Sequence, residues 1–226
     1  MSVSSTATSF DHLRGWVGRT ERRVDTGTGT VTAAPLAGLA ATLDRAEAEP
    51  LPGTPMAPLA HWLFFLPVAR QSEIGVDGHP QRGGFLPPAA LPRRRWAGSR
   101  LTFHHALNLG DEMLRSSTVT KVDTKTGRSG TLVLVTARHE ITSDARLALT
   151  EEHDIVYRVH PVRGAARPPP AQAPTDAAFS RRIEPNPLLL FRYSALTFNG
   201  HRIHYVALWA SNQESALAMH ASAELA

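Results

Sequence analysis

Cysteine is missing from all 226 residues, which removes disulfides, thiolate metal sites and a cysteine nucleophile without fixing a compartment. Lysine is nearly missing too. Only Lys121 and Lys125 stand beside 22 arginines, and the net charge of +4 is small for this length, so nucleic acid is not implied as a partner. No apolar run approaches the roughly 20 residues of a membrane span; Trp62 to Leu66, for example, has five, and no membrane association is expected. Met1 to Ser9 carries neither a basic residue nor an apolar stretch. Neither a signal peptide nor a transit peptide is therefore expected, and the chain reads as cytoplasmic. What is present suits a globular protein: 42% hydrophobic and 19% charged residues exclude a disordered chain, and the length allows one large domain or two small ones.

Three arginine clusters, Arg22-Arg23, Arg93-Arg94-Arg95 and Arg181-Arg182, are either solvated charge or phosphate contacts, because the guanidinium fork matches phosphate oxygens in pairs. Thr32 to Leu43 places Leu36, Leu39, Ala40 and Leu43 at helical spacing behind a Thr32 cap, which predicts a short amphipathic helix. Four prolines between Glu49 and Pro58 mark a linker, and His61 to Leu66 reads as a helix turn or a buried strand. Gly75 to Pro92, with four glycines and four prolines, predicts a long surface loop. From Arg100 the pattern is that of strands. Met113 to Val122, Thr131 to Ile141 and Leu147 to Arg158 predict an antiparallel meander whose apolar face one earlier helix can cover. Val162 to Thr175 is rich in proline and alanine and reads as a semi-rigid connector, the expected domain boundary. Beyond it, Pro187 to Phe198 is predicted as a strand, broken by Asn199-Gly200, with His201 to Tyr205 as the first turn of a helix capped by Asn199.

The stretch that carries chemistry is Leu190-Phe191-Arg192-Tyr193-Ser194-Ala195-Leu196-Thr197-Phe198-Asn199-Gly200-His201-Arg202-Ile203-His204-Tyr205. It resembles the signature of the type 2 hydroxyacyl-thioester dehydratases and the mesaconyl-C4-CoA (3-methylfumaryl-CoA) hydratases, a branch of the MaoC-like double hot-dog family. In the wider family an aspartate at the end of a strand precedes a histidine with four residues between; Asn199 and His204 fall at those two places. The resemblance extends through Trp16-Val17-Gly18, His61-Trp62-Leu63, Arg82 to Pro88, Trp96-Ala97-Gly98 and Glu152 to Tyr157. It implies an α+β double hot dog, each half a curved antiparallel sheet wrapped around a helix. Residues 10–160 would form the N-terminal, acyl-accommodating half, 161–175 the linker and 176–226 the start of the catalytic half. No cofactor is implied. The implied substrate is an acyl-CoA or acyl-carrier-protein thioester, with a short-chain dicarboxylic CoA ester among the options, and a homo-oligomer is allowed.

Residue chemistry supports the same assignment. Adding water across an enoyl thioester needs a base, and histidine titrates nearest neutrality, so His204 is the candidate base. Asn199 can hold the water by accepting one hydrogen bond and donating another, although an amide cannot shuttle a proton. Backbone N–H groups at a helix N-terminus are the expected stabiliser of the charge on the thioester oxygen. Tyr193, Arg192, His201 and Arg202 either contact substrate or line the sheet surface, and Arg93, Arg94 and Arg95 are candidates for the CoA phosphates. His201 and His204 lack a third ligand at a familiar metal-binding spacing, so no metal is expected. His104-His105, inside a predicted strand, read as one packed and one exposed side chain.

One stretch departs from the family. An acidic residue commonly follows the His-Tyr pair in relatives and a His-Gly-Pro run opens a long central helix, whereas this chain has Val206 and His220-Ala221-Ser222. The second hot dog is therefore expected to be incomplete. The rivals to an acyl-thioester hydratase are a non-catalytic acyl-thioester binding module and an inactive fragment.

Overall fold

Alternation of Val, Leu, Ile and Ala with polar residues builds the centre of the molecule. In the computed structural model, which describes residues 10–24, 30–127, 130–159 and 183–205 with isolated positions 172, 176 and 178, these segments pair as long antiparallel strands. The elements are β1 (Thr20–Val24), α1 (Ala33–Thr42), β2 (Arg93–Phe103), β3 (Met113–Gly127), β4 (Gly130–Ser143), β5 (Arg146–Arg158) and α2 (Pro187–Leu196). The strands form one five-stranded sheet in the order β1-β3-β4-β5-β2. The meander is as the sequence pattern predicts, with β3 continuing to Gly127 beyond Val122. Its second hairpin closes at Asp144 and Ala145, both at positive φ (48° and 59°), the conformation that a two-residue turn between twisted strands requires.

Three register shifts, at Trp96/Gly98, Val119/Lys121 and Ile141/Thr142, add local twist and curve the sheet. One face is the core, in two apolar halves. Phe10, Leu13, Ala89 and Leu91 cover Val119, Val122, Val133, Val135, Ile155 and Tyr157 at one end. Val31, Leu63, Phe64, Phe65, Leu107 and Leu109 cover Met113, Ile141 and Leu149 at the other, joined by Leu36 and Leu39 of α1. The predicted helix over Thr32 to Leu43 is thus present, with Thr32 at its N-cap but without a side-chain capping bond, and it packs Leu36 and Leu39 against the margin of the second apolar half. His61 to Leu66 resolves as a buried 3-10 turn, Ala60–Leu63, followed by Phe64 and Phe65.

Between the apolar halves, on the same face, runs a polar belt. Ser117 and His139 share a hydrogen bond of 2.8 Å. Glu151, only 4% exposed, accepts from Ser99 Oγ at 2.8 Å and from Trp62 Nε1 at 3.1 Å, with His61 Nε2 3.4 Å away. Burial pushes the Glu151 carboxyl up, but the donors from His61, Trp62 and Ser99 outweigh it and hold the group at about 2. Burial, with the charge of Arg115 adding to it, drops His139 to about 4, so it is neutral at pH 7.

Three expectations are corrected. Pro187 to Phe198 is not a strand but α2: Asn186 Oδ1 accepts from Leu189 N at 2.9 Å, and Pro187 occupies the first turn, where no amide donor is needed. The stretch has no β-branched residue before Thr197, so nothing local resists the helix. Gly75 to Pro92 is not a purely surface loop, since Pro87, Ala89 and Leu91 are buried. Arg82 organises it by donating to the carbonyls of Ala89, Leu91 and Pro92 while lying 5.6 Å over the Tyr157 ring. His104-His105 lie just past the end of β2; His104 is exposed and His105 half-buried. The connector 161–175 apart from position 172, the stretch 206–226 and Arg181-Arg182 lie outside the described residues. No described helix is long and apolar enough to cross a membrane.

Replacing Glu151 by alanine leaves the half-buried donors Trp62 Nε1 and Ser99 Oγ without their acceptor and should cost on the order of 3 kcal/mol, measured by denaturant unfolding at pH 7. Because the folded carboxyl sits near 2 against 4.5 unfolded, its contribution is complete above about 4.5. It fades as pH falls through the window between these values, so the deficit of Glu151→Ala should shrink there. An unchanged midpoint at pH 7 would remove Glu151 from the core's stability.

Candidate active site

Helix α2 delivers the signature residues through an unusual ending. Phe198 N donates to Ala195 O and Asn199 N to Ser194 O, the paired bonds of a Schellman stop, with Phe198 at φ +49° where glycine is the usual occupant. Asn199 then folds its side chain back, Oδ1 accepting from His201 N at 3.0 Å. A short 3-10 turn, Arg202–His204, follows; Ile203 is buried and Leu196 packs on the core, so the turn is anchored at both ends.

The turn docks against the loop Ile74 to Pro80, which the bond from Gly75 N to His79 O closes at 2.8 Å. Arg202 N donates to Asp77 O at 3.0 Å. Gly78, at φ +89°, passes so close to Gly200 that a Cβ on Gly78 would collide with the Gly200 carbonyl, and a Cβ on Gly200 would meet Gly78 O at 2.9 Å. This backbone contact brings in two residues that sequence reasoning missed. Asp77 accepts from His79 N at 3.1 Å, and its Oδ2 lies 3.4 Å from His79 Nδ1. The His79 ring stacks on His201 at 4.2 Å between centroids, and His201 stands edge-on to His204 at 5.9 Å. The short Asp77-Gly78-His79 motif, a glycine between a carboxylate and an imidazole, was the available signal.

Burial lowers the pKa of His79, His201 and His204; the charge of neighbouring histidines adds to it for the last two, and His201 falls to about 3. All three imidazoles are neutral at pH 7 and able to accept protons. Burial raises the Asp77 carboxyl, but the side-chain and backbone hydrogen bonds of His79 prevail and hold it well below the usual carboxylate range. Tyr193 lies half-buried on the same face of α2 as Leu190, with its hydroxyl pKa raised by burial, while Arg192 and Arg202 are exposed.

The arginine triplet is split by the strand's alternation. Arg94 pairs in register with Tyr157 on the core face, and its charge reaches Asp77, His79 and His201. Arg93 and Arg95 belong to the opposite face with Arg158. Burial, with the charges of Arg93 and Arg158 adding to it, takes Arg95 down to about 10. The helix expected to present its N-terminus to the thioester oxygen would follow Val206 and lies outside the described residues. The described turn has three residues, and the N–H groups of His201, Arg202 and His204 are already donated within the site.

Asp77, His79 and His201 place one ligand atom each within 4.8 Å of one another, a set that sequence spacing did not offer and that does not include His204. The set is composed like a two-histidine, one-carboxylate metal site. The charge of Arg94, which reaches all three, and the close ring-on-ring contact of the two imidazoles, tilted by 31°, suit a cation poorly.

A curved antiparallel sheet with helices and a histidine-bearing turn on its core side defines an α+β hot-dog fold of the MaoC-like kind. HtdX of Mycobacterium tuberculosis shares it at a TM-score of 0.51 and 18% identity, over 92% of this chain and 75% of that one. A MaoC-like dehydratase gives 0.56 at 13% identity, over 89% and 72%. A mesaconyl-C(4)-CoA hydratase of Chloroflexus aurantiacus is 44% identical over 88% of this chain and 70% of its own length. The mitochondrial type 2 hydroxyacyl-thioester dehydratase of Schizosaccharomyces pombe is 27% identical over 72% and 61%. The pattern of the type 2 hydroxyacyl-thioester dehydratases matches residues 59–218, and the chain belongs to that family. It is an enzyme of hydro-lyase type, an acyl-thioester hydratase or dehydratase.

Gly78→Ala should separate the loop from the turn, lowering the unfolding midpoint and speeding hydrogen exchange at the Arg202 amide. Gly53→Ala is the control, because Gly53 has a similar φ of +81° with nothing within 4 Å of a Cβ. It should cost only the left-handed backbone strain of about 1 to 2 kcal/mol. Equal losses in the two variants would mean that the Gly78–Gly200 contact contributes nothing.

Proposed function

We propose that the chain adds water to, or removes it from, the carbon–carbon double bond of a short-chain enoyl thioester, with His204 as the base and Asn199 as the residue that holds the water. The observation that carries this reading is that Asn199 and His204 stand at the two ends of one short turn seated by the buried Ile203, Asn199 bonded to its first amide and His204 an imidazole that burial keeps neutral. In the hydration direction His204 takes a proton from water, the hydroxyl adds to the β-carbon and a proton is returned to the α-carbon. Asn199 spends one lone pair of Oδ1 on His201 N; its second lone pair and its NH2 group suit a water in both directions. The name of the 44%-identical relative supports a dicarboxylic CoA ester such as a mesaconyl-C4 thioester as the substrate.

In this reading Tyr193, His201 and Arg202 border the acyl thioester, and Arg94, with Arg93 and Arg95 from the other face, provides positive charge for the carrier's phosphates. The sheet over 10–160 accommodates the acyl group, 161–175 links it to the catalytic part over 176–226, and the enzyme works in the cytoplasm without a cofactor, alone or as a homo-oligomer.

A spectrophotometric hydration screen over a panel of enoyl-CoA esters tests the reaction. His204→Ala should lower kcat by about 10² to 10⁴-fold with an unchanged unfolding midpoint, and Asn199→Ala should lower it less. Because burial lowers the His204 pKa, the acid limb of the wild-type rate profile should fall below the ordinary 6.5. Equal turnover in wild type and His204→Ala would remove His204 from the mechanism.

A further inference from the structure

Moving a proton off water and onto carbon needs a base whose ring is held in one orientation and one tautomer. In many histidine sites a carboxylate does this, and position 199 carries an amide instead. A carboxylate nevertheless reaches the site, from a loop more than 100 residues earlier in the sequence. Asp77 binds both the backbone and the ring of His79, His79 stacks on His201, and His201 abuts His204. The Gly78–Gly200 contact and the bond from Arg202 N to Asp77 O lock this series in place.

We propose that Asp77 and His79 form the positioning unit of the active site, fixing His201 and through it the ring of His204, and so supplying from the Ile74 to Pro80 loop the carboxylate that position 199 lacks. The inference rests on the hydration reading for its effect on rate, and on geometry alone for the pairing. Asp77 acts through His79 and His201 rather than on substrate. Its charge favours protonation of both rings, which Arg94 opposes at both and Arg82 at His79.

The test uses the intact chain with Asp77→Asn, His79→Gln and the double variant. Each single variant should lower kcat by about 10²-fold, the effect of a slightly misplaced base, with KM within about twofold. The double variant should be no worse than His79→Gln alone, because the two residues act in series; independent structural losses would add. Imidazole ¹⁵N spectra provide a readout that does not require turnover. His79 should hold its proton on Nδ1 in the wild type and lose that preference in Asp77→Asn, with the His201 signal shifting as well. Unchanged kcat, additive losses, or unchanged ¹⁵N signals in Asp77→Asn would each overturn the proposal. Activity lost to a chelator and restored by Zn²⁺ would also overturn it, reassigning Asp77, His79 and His201 to a cation. Were the wild type to hydrate no enoyl-CoA ester, the hydration reading would fall, and the ¹⁵N signals alone would decide the pairing. Should Asp77→Asn not fold, His79→Gln with the wild-type tautomer measurement decides it.

Discussion

Two glycines meeting at backbone contact, Gly78 and Gly200, hold together everything at the candidate site. Any side chain at either position would push the two segments apart, and Gly78 also occupies a left-handed conformation that other residues adopt only at a cost. Across this contact the carbonyl of Asp77 meets the amide of Arg202, and three imidazoles and a carboxylate come within reach of one another. The site is thus a joint between two parts of the chain more than 100 residues apart in sequence. Its precision depends on how well each part is anchored behind the joint.

Both anchors are visible. On one side Arg82 ties the loop after Pro80 to three carbonyls and lies over Tyr157, a fully buried strand residue. On the other, Leu190, Leu196 and Ile203 seat α2 and its following turn, with Leu196 packing on the apolar half of the core that α1 shares. A substituent on Gly38 of α1 would meet the Leu196 side chain at 2.7 Å, so the two helices approach closely there. Asn199 and His204 are therefore carried by a rigid element end, an arrangement that suits chemistry requiring fixed geometry.

The polar belt across the sheet is a second constraint of a different kind. Burying a glutamate among histidines is expensive unless its oxygens are met by donors, and Glu151 satisfies both of its oxygens within the core. The belt divides the apolar face in two, so no single long helix needs to cover the sheet. Short elements and loops such as Phe10 to Leu13, Leu63 to Phe65 and Ala89 to Leu91 do it instead.

Strand alternation, the Thr32 helix start and the turn residues made the meander and α1 legible, because each depends on local pattern. The Asn199 and His204 spacing and the surrounding signature were legible as a family resemblance for the same reason. Helix α2 was misread because a run of apolar residues suits a buried strand or a helix equally well, and the deciding signal, Asn186 followed by Pro187, is a cap of only two residues. Asp77 and His79 looked like part of a glycine-rich loop, and Arg93 to Arg95 like one cluster. Only the register of β2 with β5 separated Arg94 from its neighbours, and only the docking of the loop brought Asp77 to the histidines. The sequence by itself determined the three strands of the meander and the chemistry-bearing signature, since side-chain period and residue type act within a few positions, but not β1, the start of β2 or α2. Which residues share the site was decided by tertiary structure, because that depends on close packing between segments with no local dependence on each other.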